Sequence, residues 1–309
     1  DIGGVHKISL SNNDAGTSNT IFGKSAGLSL DAGSNFNVFI GEDVSDAAMN
    51  DSINNVGVGY QALSALTTGD NNTAIGYQAG DALNIGGDNV AIGSGALTTE
   101  DVGDRAIAIG TNALFSQNSD SDNEDSLNVG IGHAAGYYNV TGQNNTYIGG
   151  FAGTGASGQS NNNNTAVGSQ ALTAITDGGF NTAIGGEAGH DLTTGDENVF
   201  IGLNAGDKTT DVDRTVIIGA NSGGANMTAD ADGTVAIGYQ AGAAMTDPQD
   251  TNEVSVFIGY QAGNANTIGS ANVTLGYQAL LTNVASGRNT AIGYQSLKVS
   301  TAGSAADYF

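Results

Sequence analysis

The sequence predicts an all-β fold, a parallel β-solenoid (β-roll) of about sixteen 17-residue coils, and three observations predict it. The segment N-[TV]-x-[IV]-G recurs from end to end, its closing glycines return at a base period of 17 residues, and the composition is that of a tightly turned repeat, with 49 Gly, 1 Pro, no Cys and no Trp in 309 residues. A period this short has no room for helix pairs or propeller blades, which need roughly 33 to 45 residues. It suits one coil of two short strands and two turns.

In chain order, residues 1–18, with Val5-His6-Lys7-Ile8-Ser9-Leu10, read as an N-terminal cap or connector. Residues 19–300 form the solenoid and 301–309 a C-terminal tail. The anchor glycines are Gly23, Gly41, Gly59, Gly76, Gly93, Gly110, Gly132, Gly149, Gly168, Gly185, Gly202, Gly219, Gly238, Gly259, Gly276 and Gly293. Departures from 17 are always insertions, the longest interval being 22 between Gly110 and Gly132. At about 4.8 Å per coil, the fifteen intervals imply a rod of roughly 70 Å.

Within the unit, the residue three before the anchor is mostly Thr or Val and the one before it Ile, Val, Leu or Phe, a pair on one face of a strand. Between them stands Ala74, Ala91, Ala183 or Ala236 in some coils and Phe39, Tyr147, Phe200 or Phe257 in others, so the opposite face is apolar too. A strand apolar on both faces belongs between two layers. One face fills the coil; the other needs a partner, and oligomerisation supplies it most simply. Asn four before the anchor, as in Asn72, Asn89, Asn181, Asn198 and Asn289, suits a corner where Asx side chains bond the backbone or stack in a ladder. Anchors such as Gly76, Gly93, Gly185, Gly202 and Gly293 allow a positive φ or a close approach there. The residue three after the anchor is Ala in thirteen coils, with Val44, Ser222 and Ser296 the exceptions, and suggests a tight turn packed on the next rung or a neighbouring chain.

With 7 basic and 31 acidic residues the net charge is −24, which repels phosphate backbones and anionic lipid, so nucleic acid is not an expected partner. No apolar run approaches 18 residues, so direct membrane insertion is not expected either, and a start at Asp1 without a signal-like segment reads as a processed or excised soluble chain.

Catalytic patterns do not survive their context. Gly23-Lys24-Ser25-Ala26-Gly27 matches a nucleophile elbow but is the first anchor turn, and Gly153-Thr154-Gly155-Ala156-Ser157-Gly158 matches a dinucleotide fingerprint with no helix after it. His6, His133 and His190 fall at different repeat positions, which supports neither a metal cluster nor a dyad. No enzyme activity and no cofactor are expected. Ca²⁺ is the one metal with candidate ligands: Asp120, Asp122 and Glu124 in the longest insertion, and the pairs Asp211/Asp213 and Asp230/Asp232. None completes an EF-hand loop, and solvated acidic loops are the competing reading.

The Tyr-Gln pair after the anchor, at Tyr60, Tyr77, Tyr239, Tyr260, Tyr277 and Tyr294, is the candidate glycan contact, since tyrosine offers an apolar face with a polar tip. A self-stacking structural ladder is the alternative. Insertions at 111–127, 154–163, 220–233 and 243–254, the last with Pro248, are further places for specificity.

The unit N-[TV]-x-[IV]-G-x-x-[AS] resembles the N-S-V-A-I-G-x-x-[SA] repeat of YadA-type heads in trimeric autotransporter adhesins, over about residues 19–300. Similar N-T-A-I-G-Y-Q-A repeats occur in phage tail-fibre and appendage proteins and in large surface proteins of aquatic bacteria. The resemblance implies a homotrimer of left-handed rolls, intertwined or side by side, with the apolar strand face of each chain against the other two. The period of 17 is longer than in those heads.

The function expected is therefore an extracellular or cell-surface structural and adhesive fibre segment, a rigid rod that mediates attachment or end-to-end filament assembly, with itself and a host or surface glycan or protein as partners. A phage tail-fibre shaft is the alternative, located on a virion appendage. An ice- or mineral-binding face would use Thr20, Thr73, Thr146, Thr165, Thr182 and Thr290, but Val at the same position in Val38, Val56, Val90, Val129, Val199 and Val273 suggests that it points inward. A β-helix polysaccharide lyase has longer coils and needs basic residues clustered with carboxylates.

Overall fold

The computed structural model describes residues 16–122, 124–246 and 254–299, together with the backbone of a strand at Lys7–Ser9. The expectations attached to Val5, His6, Pro248 and the tail 301–309 lie outside the described residues. Two compact units divide the chain, one of residues 1–151 with 156–160 and one of 152–155 with 161–309.

The first unit holds β1 (Lys7–Ser9), β2 (Thr20–Gly23), β3 (Val38–Ile40), β4 (Val56–Val58), β5 (Thr73–Ile75), β6 (Val90–Ile92), β7 (Ile107–Ile109), β8 (Val129–Ile131) and β9 (Thr146–Ile148). The second holds β10 (Thr165–Val167), β11 (Thr182–Ile184), β12 (Val199–Ile201), β13 (Val216–Ile218), β14 (Val235–Ile237), β15 (Val256–Ile258), β16 (Val273–Leu275) and β17 (Thr290–Ile292). From β2 onward each strand opens one coil of a parallel β-solenoid, and equivalent positions pair: Ala74 opposite Ala91 in the first unit, Ala183 opposite Phe200 in the second. β1 instead runs antiparallel to β2, with Ile8 opposite Phe22.

Each coil contains one strand, of four residues in β2 and three in the others, rather than the two that the period suggests. Non-glycine residues bring φ into the left-handed region at three corners of a coil, as at Asn71 (φ 60°), Gln78 (φ 51°) and Leu97 (φ 52°), and no extended run survives between them. Inter-coil hydrogen bonding continues outside the strands all the same: Leu97 N–H donates to the Ala113 carbonyl at 3.0 Å and Thr193 N–H to that of Thr210 at 2.8 Å. These bonds satisfy the turn backbone and hold the strained corners in place.

The anchor glycine is obligatory by geometry. Gly185 sits at φ +136°, which L-residues avoid, and a Cβ there would lie 2.5 Å from the Gly202 carbonyl oxygen of the next coil. The small residue three after the anchor points into the coil interior: Ala79, Ala113, Ala188 and Ala262 are all fully buried.

Core packing follows a size rule between the residue two before the anchor and the residue four after it. Phe200 lies between Gly189 of the preceding coil and Gly206 of its own, where added Cβ atoms would come within 2.8 and 2.6 Å of its ring. Phe257 is placed alike between Gly242 and Gly263. Leu takes the later position in Leu63, Leu97, Leu114, Leu172 and Leu280, and there the residue two before the anchor is Gly, Ala or Thr both in its own coil and in the next. Each ring thus fills the volume that two glycines vacate, which keeps the interior close-packed.

Asparagines line another interior corner. Asn72 Nδ2 donates to the Gly86 carbonyl at 2.8 Å, and its Oδ1 accepts the Asn89 N–H at 3.0 Å. Asn181 repeats this toward Gly195 (2.7 Å) and Asn198 (3.0 Å). At such a corner one amide satisfies a backbone donor and a backbone acceptor that the turn would otherwise bury unpaired. Thr234 stands in for Asn at this corner, and its Oγ1 is buried without a partner.

Candidate functional surface

The outer face of the strands is a row of Val, Thr, Ile and Leu side chains in both units. In every coil the middle strand residue is buried and its two neighbours face out: Ala74 is buried in β5, with Thr73 half-buried and Ile75 39% exposed. Phe22, Ile40, Ile148, Ile184, Leu275 and Ile292 are exposed at the same position as Ile75. The Thr/Val column belongs to this outer face and does not point inward, so replacement of Thr by Val marks an apolar surface rather than the coil interior. Threonine and valine share this column in runs, as in Thr165 and Thr182 followed by Val199, Val216, Val235, Val256 and Val273 in the second unit.

Next to this stripe run the tyrosines. Tyr239, Tyr260, Tyr277 and Tyr294 form one stack in the second unit, with ring centroids 5.3, 5.1 and 5.2 Å apart and planes within 22° of one another. Tyr60 and Tyr77 stack in the first unit at 5.7 Å. Glutamines form a parallel ladder beside them: Gln261 Nε2 donates to Gln240 Oε1 at 2.9 Å, Gln278 to Gln261 at 2.9 Å and Gln295 to Gln278 at 3.0 Å, and Gln78 donates to Gln61 at 3.1 Å. The rings face one another, so what the stack offers to a ligand is ring edges and hydroxyls. The Tyr-Gln pair is visible in the sequence; the amide ladder needed the register, which places each Gln one coil above the last.

The acidic residues are used differently. Asp213 N–H donates to Asp232 Oδ1 at 2.8 Å, and Asp196 N–H to Asp213 Oδ1 at 2.8 Å, so these carboxylates are rungs of a side-chain-to-backbone ladder. Gly87 N–H on Asp104 (2.6 Å) repeats it in the first unit. Arg214 lies 3.7 Å from Asp232, whose pKa is raised by burial first and by Asp213 and Asp211 as well. Asp230 is the middle residue of the 3₁₀ turn Ala229–Ala231, and Asp211 Oδ1 accepts the Thr210 hydroxyl at 3.2 Å. In the longest insertion Glu124 accepts Asp120 N–H at 3.0 Å and is bonded by Gln143, while Asp120 and Asp122 are exposed. Among the described residues no three His, Asp or Glu side chains converge as a metal site.

Sequence reasoning missed the buried Glu100. Its Oε1 accepts Gly103 N–H at 2.8 Å and Ser119 N–H at 3.1 Å, and its Oε2 accepts the Ser119 hydroxyl at 3.1 Å, so three donors replace the water that burial removed. Its place in the repeat, seven after an anchor where Leu66 and Leu83 stand in earlier coils, was the available signal. His190 pairs with its neighbour Asp191 at 2.6 Å, and His133 meets Phe151 edge-on at 4.9 Å.

Among the described residues no helix is long and apolar enough to cross a membrane. A scan against protein-family models and a search of curated proteins each return no match.

Proposed function

We propose that this chain is an extracellular structural and adhesive fibre segment whose copies associate sideways, as a homotrimer, through the outer strand faces. One observation carries the reading: a row of Val, Thr and Ile side chains, half-buried to exposed, on the outer face of every coil of both units. Contiguous apolar surface of this kind marks an interaction site, and removing it from water favours association at roughly 25 cal/mol per Å² before the costs of ordering are subtracted. The acidic exterior supports the same reading, because it keeps assembled fibres apart and soluble. Attachment to a glycan or protein surface falls to the insertions and the remaining exposed faces. The resemblance to trimeric adhesin heads fits this proposal, and a phage tail-fibre shaft would use the same surfaces.

Sedimentation equilibrium of the purified chain is the test. A trimer mass is expected; a monomer at every accessible concentration removes the proposal. Ice or mineral binding would demand an unbroken outward Thr array, which runs of Val such as Val199 to Val273 interrupt, and absence of thermal hysteresis would close that alternative.

A further inference from the structure

We infer that the tyrosine and glutamine ladders of the second unit are the anchor of the contact between copies of this chain, so that a second copy is what covers them. The inference rests on the sideways association proposed above and names the residues that hold it. In the coils closing at Gly238, Gly259, Gly276 and Gly293, the sector from the first outward strand residue to the glutamine carries Val or Thr, Ile or Leu, Tyr and Gln, and no charged side chain. In a chain of net charge −24, that makes it a neutral window. Like-charged copies repel across their acidic surfaces and meet at lowest cost where the charge is absent. Interface cores are depleted of charge and enriched in tyrosine in the same way.

Stacking prepares the surface for docking. Neighbouring rings in register and amides bonded at 2.9 to 3.0 Å hold both sets of side chains in one rotamer before any partner arrives. Association then costs little further side-chain entropy, and the free edge of each tyrosine, with its hydroxyl, is presented in a fixed row. Tyr239, Tyr260 and Tyr277 remain 42 to 43% exposed and Tyr294 74% exposed, so the row is available in the isolated chain. A polysaccharide lying along the row would need the ring faces for stacking, and in Tyr260 and Tyr277 both faces are occupied by neighbouring tyrosines. A cationic partner would settle on the acidic edges instead.

The test is the dissociation constant of the full chain by sedimentation equilibrium, for the wild type, Tyr260→Ser/Tyr277→Ser and Tyr260→Phe/Tyr277→Phe. The Ser pair is expected to weaken association by about a hundredfold or more, while the Phe pair, which keeps the stack, stays within about tenfold of the wild type. A wild-type monomer overturns both this inference and the sideways association. An oligomeric wild type with an equally oligomeric Ser pair overturns this inference alone. So does a Ser pair that assembles normally but loses retention on insoluble β-glucan, which would assign the ladder to a glycan. If the Ser pair loses its cooperative unfolding, Tyr277→Arg takes its place, since it adds charge at one exposed rung, and assembly that survives that charge refutes the idea.

Discussion

The pairing of Phe200 with Gly189 and Gly206 can be tested as a rule rather than as a single contact. Phe200→Ala leaves an emptied ring volume in a fully buried site and is expected to cost about 3–5 kcal/mol. Gly189→Leu alone drives a Cβ to 2.8 Å from that ring and places leucine at φ +59°, for about 1–3 kcal/mol of overpacking and about 1 kcal/mol of backbone strain. Leucine is nonetheless native to this position at Leu172 (φ 50°), and Leu97 and Leu114 occupy it in successive coils. Combined, the two changes rebuild the Ala–Leu arrangement found around Leu172. The double variant is therefore expected to be more stable than Phe200→Ala, with a coupling energy of at least about 2 kcal/mol. Guanidinium unfolding followed by circular dichroism, with hydrogen exchange at Val199 and Ile201 for the local effect, measures the cycle. Additivity of the two single losses to within about 0.5 kcal/mol would refute the size rule.

Three further outcomes follow from the geometry. Gly185→Ala is expected to cost about 3 kcal/mol or more, since neither the φ nor the 2.5 Å approach to Gly202 can accept a methyl group, while Gly150→Ala, where a Cβ meets nothing within 4 Å, stays within about 0.5 kcal/mol of wild type in thermal unfolding. Asn181→Leu strands the Asn198 N–H and the Gly195 carbonyl inside the coil, a loss of about 2–5 kcal/mol in denaturant titration; a neutral change would mean that the ladder is ornamental to folding. Burial, reinforced by Asp191 and Glu187 and opposed by Lys208, raises the pKa of Asp207, so the folded state holds that proton more tightly than the unfolded state does. Stability from this group is present below the unfolded value of about 3.9 and is lost as pH rises through the higher folded value. Asp207→Asn should accordingly be the more stable protein at pH 7, by less than about 1 kcal/mol, with an advantage that shrinks on acidification toward pH 4; an advantage that grows on acidification contradicts the sign.

Much of this fold is legible in the chain because one period dictates it. The anchor glycines, the asparagine corner and the apolar strand triplet each recur at fixed offsets, and the parallel register follows from stacking like on like. The number of strands per coil was not legible, because it depends on Gln78, Asn71 and Leu97 entering the left-handed region, and nothing in those side chains demands it. Cooperative hydrogen bonding to the adjacent coils imposes it. The opposition of Phe200 to Gly189 and Gly206 was present in the sequence, yet it becomes visible only when positions four after one anchor are read against positions two before the next. For the candidate surface, the tyrosines could be named from their spacing, whereas their mutual stacking could not. For the carboxylates named as candidate Ca²⁺ ligands, the pairs Asp211/Asp213 and Asp230/Asp232 could be read from their spacing, whereas the use of Asp213 and Asp232 as acceptors for backbone N–H groups could not.

In two coils extra chain length enters at the same corner. In the coil opened by Gly110 the ladder holds through Asn118, which donates to Val140, leaves it, and resumes at Glu124, whose carbonyl accepts the Asp104 N–H; in the coil opened by Gly219 it leaves after Met227 and resumes at Gly233 on Asp213, with the 3₁₀ turn between. The pitch of the stack is therefore independent of how many residues a turn contains, because the excursion lies outside the bonds that set it. Closing a longer loop there adds only about 0.6 kcal/mol per doubling of its length. Foreign peptides spliced into that corner should be displayed without disturbing the storeys above and below, which makes it the natural place for such a protein to vary what it touches while leaving its framework unchanged.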